Sequence, residues 1–221
     1  MVQKKLEGKK LVFLGDSITE GYGLSNIEHR YTNLIAFDEK AICCNYGISG
    51  TRLAYQTVPS EKPSHDFCFI ERVEELEADA DLVIVFGGTN DYGHGDAAFG
   101  VFEDRDPYTF YGAVHTLVQK LLAKYERSKI VFLLPLHRGT ETQTIVKGGK
   151  LTEVTLAQYV QALREVLDFY EISYLNLFED GKTEEQIAEW QQQYTIDGLH
   201  PNEKGHRMLA DLVIQYLESQ V

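Results

Sequence analysis

The sequence predicts an α/β protein: a three-layer α/β/α sandwich on a five-stranded parallel sheet in the order 2-1-3-4-5, with flavodoxin-like layering. Three observations carry this. Short apolar runs at residues 10–14, 41–45, 82–86, 130–134 and 173–177 alternate with stretches of helical periodicity. That alternation implies parallel strands joined by right-handed crossovers, with helices on both faces. The first three runs each end in a glycine-containing turn, at Gly15, at Gly47 to Gly50 and at Gly87-Gly88, so these loops open onto one edge of the sheet. No repeat, low-complexity tract or linker divides the chain, so one domain is expected over residues 1–221.

Lys10 to Leu14 reads as the first strand, and residues 18–29 as an irregular segment around Gly21 and Gly23. A helix is expected over 30–39 and the second strand over 41–45. Residues 57–66, with Pro59 and Pro63, read as loop. Phe69, Ile70, Val73 and Leu76 give residues 67–77 helical spacing. The third strand, 82–86, runs into Gly87-Gly88-Thr89-Asn90-Asp91. Residues 92–106 read as a long loop, a length that usually signals binding or disorder. Pro107 suits a first helical turn. The stripe Phe110, Val114, Leu117, Val118, Leu121 and Leu122 gives the following helix one apolar face. After the fourth strand comes a polar loop over 136–150, then a helix over 156–170 and the fifth strand at 173–177. A polar helix is expected over 183–193. Asp197-Gly198-Leu199-His200-Pro201 then leads into a last helix from 202 to about 219.

Composition excludes several classes. Hydrophobic residues make up 43% of the chain and charged ones 25%, an ordinary globular balance. The net charge of −13 argues against non-specific nucleic-acid binding and against docking on anionic membranes. No apolar run approaches the roughly 18 residues of a membrane span, and the charged start of the chain lacks a signal-peptide core. Cys43, Cys44 and Cys68 have no metal-ligand spacing and read as reduced, mostly buried thiols, so a cytoplasmic location, no metal and no cofactor are expected. Oligomeric state is not readable.

Ligands of open α/β sheets bind beyond the carboxyl ends of the strands. Ser17 falls there, just after the first strand, and is a candidate nucleophile if a base can reach it. His200 is the candidate base. Asp197, three residues earlier in a glycine-containing turn, can accept from Nδ1–H and hold the tautomer that turns Nε2 toward Ser17. Oxyanion donors are expected from the Ser17 N–H, the Gly50 N–H and the Asn90 side-chain amide.

These blocks carry a resemblance. Gly15-Asp16-Ser17, Gly50 within Asn45-Tyr-Gly-Ile-Ser-Gly-Thr51, Gly88-Thr89-Asn90-Asp91 and Asp197-Gly198-Leu199-His200-Pro201 resemble the four blocks of the SGNH (GDSL-type) hydrolase family, in the family's order and across nearly the whole chain. The resemblance implies nucleophile Ser17, base His200, orienting Asp197 and oxyanion donors Ser17, Gly50 and Asn90. It also implies the same sandwich fold and metal-free hydrolysis of esters or thioesters. The sequence departs from the family pattern in following the serine with Ile18-Thr19.

The expected activity is hydrolysis of a short-chain acyl ester, an acetyl ester by preference, of a small soluble molecule such as a sugar, through an acyl-enzyme. Lysophospholipid or acyl-CoA thioester cleavage is the alternative within the class. A non-catalytic ligand-binding relative is the alternative outside it. A nucleotide-binding flavodoxin-like protein is disfavoured, because neither Gly-x-x-x-x-Gly-Lys-Ser/Thr nor Gly-x-Gly-x-x-Gly after a strand occurs. Asp16, Tyr92, His94 and His137 lie at the same edge and are candidate substrate contacts. Tyr92 and Phe99 could equally wall a pocket or belong to the core. His29, His65, His115 and His206 are read as surface or packing residues, and Glu71, Glu74, Glu75 and Glu77 as a solvated helix face.

Overall fold

The computed structural model describes residues 4–139, 141–142, 145–147, 150–152, 154–178 and 183–220. Its centre is a five-stranded parallel sheet. Strands β1 (Lys10–Gly15), β2 (Ile42–Gly47), β3 (Leu82–Phe86) and β4 (Ile130–Leu133) are followed by a short antiparallel pair, β5 (Ile145–Lys147) with β6 (Lys150–Thr152), and then by β7 (Ser173–Leu175). The sheet order is β2-β1-β3-β4-β7, the expected 2-1-3-4-5 with β7 as its fifth strand.

The period of two along each strand sorts side chains into two cores. Val12, Leu14, Val83, Val85 and Phe132 face one side, where helices α5 (Phe110–Lys124) and α6 (Leu156–Phe169) cover them. Leu11, Phe13, Ile84, Val131 and Leu133 face the other. There they meet Tyr31 and Ile35 of α2 (Tyr31–Glu39) and Leu209, Val213 and Leu217 of α8 (Glu203–Gln220). Both faces of the strands are thereby dry, which is why they read as continuous apolar runs rather than alternating ones.

Five elements differ from expectation. The helix expected over 67–77 is only α3 (Phe69–Arg72), continued by a 3₁₀ turn at Val73–Glu75. The Lys124 ammonium takes the carbonyls of Val73 and Glu74, each at 2.9 Å, and Tyr125 Oη donates to the Glu77 carbonyl, so side chains occupy acceptors that a longer helix would use. The long loop expected from Tyr92 is in part helical and packed against the core. Its first residues end the helix α4 (Thr89–His94), and its aromatic rings are packed inward: Phe99 meets Phe110, Tyr111 and Tyr159, and Phe102 meets His115. The polar loop expected over 136–150 contains β5 and the start of β6, and several of its residues lie outside the described ones. The irregular segment after β1 holds two short helical pieces, α1 (Ser17–Glu20) and a 3₁₀ turn at Ile27–His29. Helix α7 (Glu184–Tyr194) sits one residue later than expected.

Cys43, Cys44 and Cys68 are free. Cys68 is buried, while the other two are half-buried. Burial pushes the Cys43 and Cys68 thiols up to about 12. No helix among the described residues is long and apolar enough to cross a membrane.

Candidate active site

β1 ends against its own turn. A Cβ on Gly15 would fall 2.0 Å from Thr19 Oγ1, so only glycine lets α1 fold back directly over the strand. Asp16 caps that helix: its carboxylate accepts the Ile18 N–H at 3.0 Å. Ser17 is thereby held in the first turn, 4% exposed.

The far end of the chain meets it. Ser17 Oγ lies 3.0 Å from His200 Nε2, and His200 Nδ1 lies 2.7 Å from Asp197 Oδ2. The other Asp197 oxygen accepts the Leu199 and His200 N–H groups at 3.0 and 2.8 Å. Burial raises the Asp197 carboxyl, but the hydrogen bonds from His200 and Leu199 outweigh it and hold the group below the usual carboxylate range. The turn is itself pinned: the Gly198 N–H donates to Thr195 Oγ1, the Gly139 N–H donates to the Gly198 carbonyl, and Asn202 Oδ1 accepts the Gly205 N–H in the first turn of α8. Tyr22 covers the imidazole, ring centres 4.5 Å apart.

Gly50 and Asn90 line the same cleft as Ser17 and His200, a space of about 380 Å³. Gly50 has φ +77°, and a Cβ there would strike the His65 ring at 2.3 Å. Its N–H, like that of Ser17, meets no acceptor among the described residues. Asn90 Nδ2 donates to the Thr51 carbonyl at 3.0 Å, which fixes the amide and leaves its second hydrogen for a ligand. Asp91, beside it, accepts the Leu53 and Ala54 N–H groups and ties the loop after Gly50 to α4.

Of the four candidate substrate contacts, one reaches the cleft. His94 lines it, with Nδ1 3.2 Å from Arg52 Nη1. The other three lie elsewhere, because each has an internal partner. Asp16 is 1% exposed under its helix cap, and burial pushes its carboxyl up to about 7. Tyr92 is fully buried, edge-on to Tyr159 and under the Arg138 guanidinium. His137 is 6% exposed, paired with Glu141 and set against Phe178.

The cleft also holds residues the sequence did not single out or assigned elsewhere. His65, read as a surface or packing residue, lines it together with Tyr22, Lys62, Arg138 and Leu199. Arg72 was hidden within a glutamate-rich stretch. It is 3% exposed and donates to the Gly15 and Tyr46 carbonyls and to Thr51 Oγ1, clamping the ends of β1 and β2 beneath the site. Its spacing resembles that of a solvated helix face, so no sequence signal marks it.

The chain is similar to known proteins over most of its length. Residues 13–208 match the model of the GDSL-like Lipase/Acylhydrolase family. No curated protein sequence matches the chain. Among solved structures, a protein of Lactobacillus plantarum is similar over 97% of this chain and 99% of its own, with 29% identity and a TM-score of 0.80. A lipase/acylhydrolase from Enterococcus faecalis shares the fold at 16% identity, covering 96% of each chain with a TM-score of 0.64. A carbohydrate acetylesterase from Sinorhizobium meliloti shares it at 16% identity, covering 96% and 100% with a TM-score of 0.66.

Proposed function

Because the chain belongs to the GDSL-like lipase/acylhydrolase family, we propose that it hydrolyses a short-chain acyl ester of a small soluble molecule through an acyl-enzyme on Ser17. The observation that carries the reading is the unbroken line Ser17 Oγ–His200 Nε2–Asp197, at 3.0 and 2.7 Å, facing a cleft lined by Gly50 and Asn90.

The chemistry is divided among these groups. Ser17 Oγ attacks the ester carbonyl while its proton passes to His200 Nε2. Asp197 holds the imidazole by Nδ1 and stabilises the imidazolium. The oxyanion is met by the Ser17 and Gly50 N–H groups and the free hydrogen of the Asn90 amide, a donor of this kind being worth about 2.7–4 kcal/mol of barrier. His200 then gives its proton to the departing alkoxide as the ester C–O bond breaks. Water enters, loses a proton to His200 and attacks the acyl carbonyl. The carboxylic acid leaves as Ser17 recovers its proton.

Substrate size follows from the walls. Among the described residues, only Tyr22 and Leu199 line the cleft with large apolar side chains, too little surface for a long acyl tail. An acetyl group fits such a site, and an acetylated sugar is a fitting alcohol half, as in the carbohydrate acetylesterase that shares the fold. The test is p-nitrophenyl acetate hydrolysis by wild type and by Ser17→Ala. Loss of the nucleophile lowers kcat by at least about 10³-fold; equal rates would remove Ser17 from the mechanism.

A further inference from the structure

The chain has 34 acidic residues against 21 lysines and arginines, yet among the described residues no carboxylate lines the cleft. Its walls are basic instead. Lys62 and His65 come from the loop that follows Gly50, His94 ends α4, and Arg138 follows β4.

The carboxylates nearby are committed elsewhere. Asp66 accepts from Arg52 at 2.6 Å and from Ser60. Asp197 holds His200. Glu141 takes His137 and the Arg138 N–H, and Glu20 takes the N–H and hydroxyl of Ser49. Lys62 is exposed and forms no ion pair among the described residues. Arg138 is fixed in place: Nη1 donates to the Thr89 carbonyl and Oγ1 at 3.1 and 3.2 Å, and the guanidinium lies 5.4 Å from the centre of the Tyr92 ring. The field in between is felt by His65, which burial first, then Lys62 and Arg52, hold below the ordinary histidine value. A preset guanidinium and an unpaired ammonium around a 380 Å³ space are a receptor for an anion, since charge-assisted hydrogen bonds are the strong ones.

We propose that the ester taken by this cleft bears an anionic group, a carboxylate or phosphate, close to the scissile bond, and that Lys62 and Arg138 receive it. The inference rests on the ester-hydrolase reading above and adds the substrate's charge. It also separates the cleft from the rest of the molecule, whose net charge is of the opposite sign.

Two matched pairs of esters test this. The first has a common leaving group, p-nitrophenyl hemisuccinate against p-nitrophenyl butyrate. The second has a common acetyl group, para-acetoxybenzoate against its methyl ester. Each kcat/KM is divided by the ester's rate with hydroxide, which removes intrinsic reactivity. In at least one pair the anionic ester is preferred by about tenfold or more, the size expected of a charge-assisted hydrogen bond. The pair that shows it assigns the anion to the acyl or the alcohol half. Lys62→Gln lowers the preference severalfold and Lys62→Glu inverts it. Lys120→Gln, an equal change of net charge at a lysine paired with Glu74 away from the cleft, leaves it unaltered. Absence of a preference in both pairs, or a preference untouched by Lys62→Glu, overturns the proposal. Ser17-dependent hydrolysis of the neutral esters in that case keeps the activity and discards only the charge. Absence of Ser17-dependent hydrolysis of every ester discards both.

Discussion

Asp16 stands next to the proposed nucleophile and is almost fully buried. Burial dominates its raised pKa of about 7, aided by Asp91 and opposed by the Ile18 N–H and by Arg72 and Arg138. Its ordinary value is 3.8. Between those two values the folded chain binds more protons here than the unfolded one, so this group's contribution to stability is full below the lower value and is lost as pH rises through the higher. Asp16→Asn keeps an oxygen for the Ile18 N–H and has no charge to bury. Thermal unfolding is expected to show variant and wild type alike near pH 4, with the variant several degrees more stable near pH 8. A difference independent of pH would refute the assignment. The same residue marks a boundary of what the sequence discloses. Ser17, Gly50, Asn90, Asp197 and His200 could be picked out because each sits in a short local block and the four blocks together resemble those of one family. Asp16, Tyr92 and His137 sit at the same edge but point into the protein, toward the Ile18 N–H, Tyr159 and Glu141. Chain position fixes which edge a residue occupies, and packing decides which way it faces.

At the scale of elements, the loop after β2 carries most of the site's precision. Gly50 is in the left-handed region with the His65 ring against its α-carbon, so a methyl group has neither a relaxed backbone nor room. Gly50→Ala is expected to lower kcat by about 10²-fold through displacement of its N–H, with KM changed far less. Circular dichroism and a thermal scan establish that the variant is folded, and an unchanged kcat in a folded variant would take Gly50 out of the oxyanion site. The loop is held by Arg52, which donates to Ser60, the His65 carbonyl and Asp66, and by Asp91, which accepts from Leu53 and Ala54. None of these partnerships is local in sequence. For that reason the strands were legible as apolar runs and the long helices from periodicity, while Lys62, His65 and Arg138 could not be assigned to the cleft before the chain was folded. The shortened α3 has the same cause: Lys124 and Tyr125, about fifty residues away, claim carbonyls of its continuation.

Over the whole molecule, two dry cores clamp one sheet, and the excess acid is left on the surface around them. A net charge of −13 repels itself. Raising salt from about 0.01 M to 0.15 M shortens the Debye length from about 30 Å to 8 Å and relieves that repulsion. The melting temperature is therefore expected to rise by a few degrees; a fall would mean that attractive surface pairs such as Arg207–Asp38 outweigh the net charge. The sheet also explains how distant parts of the chain converge. Parallel strands in the order β2-β1-β3-β4-β7 send all their carboxyl ends the same way, so a serine after β1 and a histidine before α8 share one cleft although 183 positions separate them. The most direct measurement is the site of covalent attack by a fluorophosphonate, read as intact mass and then by peptide mapping. A single adduct per chain is expected on the peptide containing Ser17, absent in Ser17→Ala and formed far more slowly in His200→Ala. An adduct at another residue, or an unlabelled protein that still turns over esters, would contradict it.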